Sequence, residues 1–228
     1  MIAVIDYGAG NLRNVCKALE HVGATLTLTD DRRELERADK LVLPGVGAFA
    51  DCQHGLKARG LFEPLRALAL AGKPLLGICV GMQLLFEVGE EMGEWEGLGL
   101  IPGRVVRFQF SPATQAHAQL KIPHIGWNQL WRKRPDHPLL AGVRDGDYAY
   151  FVHSYHPRVA DLANVLAVTD YGYEFPSIVA RGNVWGIQFH PEKSQDVGLR
   201  ILRNFVTWSE GETTVEKGNT YVHHLSGH

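Results

Sequence analysis

Cysteine is scarce in this chain: three in 228 residues, at 16, 52 and 79, an odd count with no C-x-x-C pair. That usage argues against a disulfide framework and against a zinc knuckle, and fits free thiols in a reducing compartment. Charge of one sign is missing as well. Lys and Arg number 23 against 25 Asp and Glu, a formal net charge of -2, so no basic surplus points to nucleic acid and no charge block to an interaction tail. Nor does any uninterrupted apolar run approach membrane-spanning length, and Met1 to Asp6 enter a strand pattern without a basic leader or cleavage site. The expectation is a soluble, cytoplasmic protein.

What the chain does hold is 45% hydrophobic residues, enough to bury the core of one α/β domain with hardly room for two. Residues 1–209 carry the patterned sequence. From 210 to 228 the chain is polar, with glycines and histidines and no period, which predicts a poorly ordered tail.

The stretch around which the rest is organised is Pro74-Leu75-Leu76-Gly77-Ile78-Cys79-Val80-Gly81-Met82-Gln83-Leu84-Leu85-Phe86. It predicts a short apolar strand, a sharp turn and an amphipathic helix, with a thiol at the turn. An abrupt strand-to-helix bend strains the turn residue and demands small neighbours, and Gly77 and Gly81 stand where the nucleophile-elbow spacing G-x-S-x-G requires them, with cysteine for serine. A thiol there meets the unpaired N–H groups and dipole of a helix N-terminus, which favour thiolate, and leaves the Val80 N–H free to face an oxyanion. The plain alternative is a structural cysteine between a core strand and a core helix.

Ile2-Ala3-Val4-Ile5 is a buried-strand run, then comes Asp6-Tyr7-Gly8-Ala9-Gly10-Asn11, then a helix with Leu12, Val15, Cys16 and Leu19 on its apolar face. A dinucleotide fingerprint would need glycine where Arg13 stands. Ala24 to Leu28 and Leu41-Val42-Leu43 continue the strands. The latter runs into Pro44-Gly45-Val46-Gly47, whose two glycines let main-chain N–H groups turn toward a neighbour without Cβ obstruction. If this turn lies beside the elbow, as the ends of adjacent parallel strands do, it supplies a second oxyanion donor; otherwise it is an ordinary loop. Cys52 falls at core spacing with Phe49 and Leu56.

Gly89 to Gly99 predicts a surface loop, Arg104 to Phe110 a weak strand, and Ser111 to Lys121 has no period. Ile122 to Leu130 is an apolar segment carrying an indole and an amide near a glycine, and its plain reading is a core strand with a buried tryptophan. Tyr148 to His156 predicts another, on which His153 and His156, three apart, face opposite ways and share no metal. The strand Asn183 to Phe189 ends in His190-Pro191-Glu192-Lys193-Ser194, ahead of a last helix with Val197, Ile201 and Phe205. His190 and Glu192 leave the backbone on one side, giving an imidazole with a carboxylate for its second ring nitrogen, the couple a thiol nucleophile needs.

With these motifs in view, Gly77-Ile78-Cys79-Val80-Gly81-Met82-Gln83 and Gln188-Phe189-His190-Pro191-Glu192 resemble the triad class of glutamine amidotransferases over residues 1 to about 208. Pro123-His124-Ile125-Gly126-Trp127-Asn128 and Tyr150-Phe151-Val152-His153-Ser154-Tyr155 narrow the likeness to the branch that feeds ammonia to a cyclase of histidine biosynthesis. The resemblance implies an α/β fold, a central mostly parallel sheet flanked by helices with an added antiparallel portion in the C-terminal half. It implies Cys79 as nucleophile, His190 as general base and acid, and Glu192 as the orienting carboxylate. Gly45, Val46, Gly47 and Val80 would make the oxyanion hole, with a peptide of the turn reorienting when partner and ligand bind. Gln83 and Ser154 would hold the glutamine α-groups. Asn11, Trp127, Asn128, Tyr150 and Lys193 would meet the partner, a (β/α)8-barrel cyclase, and neither metal nor cofactor is implied. A glutaminase for another synthase, such as that of pyridoxal phosphate, or a non-catalytic scaffold on the same fold stays open at this point.

Overall fold

The computed structural model describes residues 1–8, 10–112 and 120–209. The expected tail at 210–228, most of the unpatterned segment after 111 and one residue of the first glycine loop lie outside the described residues.

Four strands with little but apolar side chains form the middle of the molecule. They are β1 (Ile2–Ile5), β3 (Lys40–Gly45), β4 (Leu75–Cys79) and β14 (Val184–Ile187), and apart from Lys40 every residue in them is buried. Strands covered on both faces carry such continuous runs. With β2 (Leu26–Thr29) they pair in parallel in the order β2-β1-β3-β4-β14. Beyond β14 the sheet turns antiparallel through β13 (Glu174–Arg181), β12 (Val165–Asp170) and β9 (Trp131–Arg132), completing eight strands.

The helices α1 (Leu12–His21), α2 (Arg32–Arg37), α3 (Phe49–Ala58), α4 (Phe62–Leu70) and α6 (Gln195–Thr207) pack on this sheet, α6 through Ile201, Leu202 and Phe205. Lys40 ties β3 to the end of α6. Its ammonium donates to the carbonyls of Phe205 and Val206 at 2.7 Å each and to that of Trp208, closing the C-terminus of α6, where a cation is favoured.

Two smaller sheets stand beside the large one. One joins β10 (Tyr148–His153) to β8 (His124–Gln129); the other has the order β11-β7-β5-β6, with β5 (Phe86–Gly89), β6 (Trp95–Glu96), β7 (Ile101–Arg107) and β11 (Tyr155–Val159). Three expectations change here. The elbow helix, α5 (Val80–Gln83), is a single turn, because Leu84, Leu85 and Phe86 are wholly buried and the chain leaves to start β5. The expected strand over Tyr148 to His156 breaks at Ser154 into β10 and β11, which belong to different sheets, so His153 and His156 both reach the ring of Phe108, at 5.1 and 4.7 Å between centroids. Trp127 is not buried: it is 47% exposed on the outer face of β8.

Candidate active site

Cys79 ends β4 with φ 55 and ψ -114, a left-handed backbone that a non-glycine residue adopts only where the surroundings impose it. The two glycines of the elbow make that conformation possible. A Cβ on Gly77 would lie 2.6 Å from the Gly81 carbonyl oxygen, and one on Gly81 would lie 1.8 Å from that of Leu43. The elbow is thus pressed against β3 with no room for a methyl. Since α5 has one turn, the macrodipole adds less than a full helix would, but the unpaired N–H groups of its first turn remain.

The glycine turn stands where parallel pairing puts it, with Gly45 in register with Cys79. Tyr7, which the sequence did not single out, holds it from behind. Its hydroxyl donates to the Pro44 carbonyl at 2.5 Å, its own carbonyl accepts from Arg59 at 2.8 Å, and α3 approaches its ring at Gly55, where a Cβ would meet the Tyr7 carbonyl at 2.6 Å. The Cys52 thiol donates to the Val46 carbonyl at 3.4 Å, and burial pushes its pKa up to about 11. Gly47 has φ 89, and nothing lies within 4 Å of where its Cβ would be.

His190 follows β14, the strand next to β4, and both its ring and the Glu192 side chain are almost fully buried. His190 Nδ1 lies 2.9 Å from Glu192 Oε1; the carboxylate can only accept, so that nitrogen carries the proton and Nε2 is left toward the thiol. Burial alone would lower the His190 pKa. Hydrogen bonds to Cys79 and Glu192, and the charges behind them, outweigh it and raise the value to about 10. Glu192 Oε1 also accepts from the Asn11 amide, and Asn11 in turn accepts from Asn14 at 2.6 Å. Ser194 fixes the backbone beneath the ring: its hydroxyl donates to the His190 carbonyl at 2.6 Å and accepts from the Tyr150 N–H at 3.0 Å.

Cys79, Val80 and His190 open together on a cleft of about 520 Å³ whose walls include Val46, Gly47 and Gln83. The Val152–Tyr155 segment forms the opposite wall, Ser154 included. Gln83 donates to the Tyr155 carbonyl at 3.0 Å and to Gln188 Oε1 at 3.2 Å, and the Gln188 amide reaches to 3.9 Å from Cys79 Sγ. Gln188 is a further residue that sequence reasoning passed over, although it sits in the quoted Gln-Phe-His-Pro-Glu run.

Of the residues expected at a partner surface, Trp127 and Tyr150 stack edge to face at 5.8 Å across β8 and β10, and Lys193 stands 5.8 Å over the Tyr150 ring. Asn11 and Lys193 line the cleft. Asn128 is turned to the other face of β8, where it donates to the Asp170 carbonyl at 2.8 Å. Among the described residues no group of three metal-ligating side chains is gathered, and no helix is long and apolar enough to cross a membrane.

Such an arrangement can carry out acyl transfer on a small amide: a nucleophile on a strained turn, an imidazole backed by a carboxylate, and main-chain donors at the same corner. Comparison with known proteins agrees. Residues 3–208 match the family model for glutamine amidotransferase class-I. The imidazole glycerol phosphate synthase subunit HisH of Salinibacter ruber is 51% identical over 220 residues, 96% of this chain and 99% of that one. The subunit of the same name from Syntrophotalea carbinolica is 53% identical over 205 residues, 90% of this chain and 98% of that one. Among solved structures, a glutamine amidotransferase superposes with a TM-score of 0.69 at 21% identity, covering 90% of this chain and 99% of that one. The PurLQS structure from Thermotoga maritima gives 0.66 at 21%, over 90% and 96%. At that identity the structures speak for the fold.

Proposed function

The chain belongs to the class-I glutamine amidotransferase family, and we infer that within it the protein is the glutaminase subunit of imidazole glycerol phosphate synthase, an enzyme of histidine biosynthesis. We take residues 1–209 as one amidotransferase domain, working in the cytoplasm.

The single observation that carries the chemistry is the shared cleft of Cys79 and the His190–Glu192 couple, with Nδ1 held 2.9 Å from the carboxylate. In the reading this supports, the Cys79 thiolate attacks the side-chain amide carbon of glutamine. The oxygen that gains the charge is met by the Val80 N–H and by an N–H of the Gly45-Val46-Gly47 turn. Protonated His190 gives its proton to the departing nitrogen, ammonia leaves, and a thioester remains. Water, deprotonated by the now neutral imidazole, hydrolyses it to glutamate and restores the thiolate. Glu192 keeps the imidazole in the tautomer that presents Nε2 to sulfur. Gln83 and the Ser154 segment border the space left for the α-amino and α-carboxylate groups.

The ammonia passes to a partner, a (β/α)8-barrel cyclase, docked over Asn11, Trp127, Tyr150 and Lys193, with Asn128 behind that face on β8. The half-exposed Trp127, packed edge to face on the partly buried Tyr150, supports that surface, since aromatic residues in the open anchor interfaces. The open space at Gly47 supports a turn that changes orientation on docking. One missing oxyanion donor costs roughly 10² to 10³ in rate, so the subunit is nearly silent until the partner is engaged.

The test is glutamate release by the wild type and by Cys79→Ala, with and without the cyclase and its nucleotide ligand. Cys79→Ala abolishes glutamine-dependent synthesis while the complex still works on added ammonium. Loss of both activities counts against the assignment.

A further inference from the structure

One buried feature has no part in that chemistry. His124 and His153 stand directly opposite each other across β8 and β10, 3% and 6% exposed, among Phe108, Phe151, Tyr171 and Phe175. His124 Nδ1 is 3.0 Å from His153 Nε2, His153 Nδ1 is 2.9 Å from the Tyr155 carbonyl oxygen, and Asn128 Nδ2 is 3.3 Å from His124 Nε2.

The ends of this chain fix where its protons are. A carbonyl only accepts, so His153 Nδ1 carries hydrogen; neutral His153 then has a bare Nε2, and His124 Nδ1 must donate to it. That leaves His124 Nε2 bare, and the Asn128 amide nitrogen, a donor, faces it. One arrangement satisfies every member, with both rings neutral. Burial works in the same direction, lowering the His124 pKa to about 4 and that of His153 well below its ordinary value. A second proton on either ring would set two N–H groups against each other.

The far end of the chain is the cleft wall. Ser154 is the one residue joining β10 to β11, strands of different sheets, and the corner it makes borders the space beside Cys79. The carbonyl of Tyr155 receives two donors, His153 Nδ1 and the Gln83 amide, so both its lone pairs are engaged and the corner is pinned from two sides. The near end, Asn128, follows the half-exposed Trp127 on the two-stranded sheet of β8 and β10.

We propose that the His124–His153 pair is a positioning element: it fixes the Ser154–Tyr155 corner that holds the amino-acid end of glutamine, and couples that corner to the strand carrying Trp127 and Asn128. This rests on the glutaminase reading above. The pair acts through the corner, so its loss is felt in binding more than in turnover.

Two substitutions separate this from mere packing. His124→Leu removes the donor and leaves His153 Nε2 buried without a partner. His124→Asn keeps a nitrogen donor close to the place of Nδ1 and leaves Asn128 its bond to Asp170. In the complex with the cyclase and its nucleotide ligand, His124→Leu raises the KM for glutamine about tenfold with kcat within about threefold, and His124→Asn stays within about threefold of wild type in both. Ammonium-dependent synthesis is unchanged in each. A wild-type KM in His124→Leu, or equal KM values in the two variants, overturns the proposal. Long-range nitrogen–proton NMR of the wild-type full chain near pH 7 decides the matter if His124→Leu does not fold. Both rings are expected as the Nδ1–H tautomer, and either ring as Nε2–H or as imidazolium overturns it. Should the wild-type complex itself release no glutamate, the glutaminase reading fails, whereas the tautomers would still stand as measured.

Discussion

Gly81→Ala is a substitution for which two effects of opposite sign can be weighed. On helix propensity alone, alanine in place of glycine in α5 gains about 1 kcal/mol. The methyl, however, would sit 1.8 Å from the Leu43 carbonyl oxygen, and real Cβ contacts stay beyond 3.0 Å. Elbow and strand must therefore part by about 1.2 Å. Neither can give easily, since Leu43 lies in β3, paired on both sides to β1 and β4. Overpacking of this kind costs about 1–3 kcal/mol, so set against the propensity gain the net loss reaches about 2 kcal/mol and, in a chain of this size, lowers Tm by up to about 8 °C. The functional effect is larger, because the same displacement separates Cys79 and Val80 from the Gly45–Gly47 turn. Misplacing reacting groups by about 1 Å can cost on the order of 10² in rate. Glutamate release by the complex of Gly81→Ala with the cyclase should thus fall at least about 10²-fold, with ammonium-dependent synthesis retained. Hydrolysis within tenfold of wild type would refute the close apposition of elbow and turn as the basis of catalysis.

Two further outcomes follow from the titrating groups. Burial pushes the Cys52 thiol up to about 11 and raises Cys16 as well, so neither is a thiolate near neutral pH. A glutamine-like chloroketone should therefore leave a single adduct, on Cys79, by peptide mass mapping, and alkylation of Cys52 at a comparable rate would contradict this. Burial also holds His124, His137 and His156 at about 4 and His153 well below 6.5, all depressed in the folded state. Their contribution to stability is whole above about pH 6.5 and is lost as pH falls through about 4. His190 has the opposite sign: raised to about 10, its contribution is whole below about 6.5 and is lost as pH rises through about 10. Urea midpoints should decline on both sides, and His190→Asn should flatten the alkaline side alone. A profile level from pH 6.5 to 4 would argue against neutral buried imidazoles.

Local constraints were legible in the sequence. Ile2–Ile5, Leu41–Leu43 and Leu75–Cys79 announce strands because a strand buried on both faces has nothing but apolar residues to offer. The elbow was visible because its glycine requirement is satisfied within five residues, and the His190–Glu192 couple because its members are two apart. What escaped was decided at a distance. Leu84, Leu85 and Phe86 fit a helix or a strand equally well once buried all round, and only the second sheet chooses. The break at Ser154 carries no glycine or proline to mark it. Tyr7 on Pro44, Asn11 on Glu192 and His124 on His153 join residues 37, 181 and 29 positions apart, contacts that no local pattern encodes.

The adjacency of β4 and β14 has a consequence for how such a protein can be kept idle. Sulfur stands at the end of β4 and the imidazole three residues past the end of β14, neighbouring strands whose spacing of about 4.8 Å is fixed by main-chain bonding at the centre of the molecule. On the proposed reading, restraint is then exercised at the rim, by withholding a donor or narrowing the doorway.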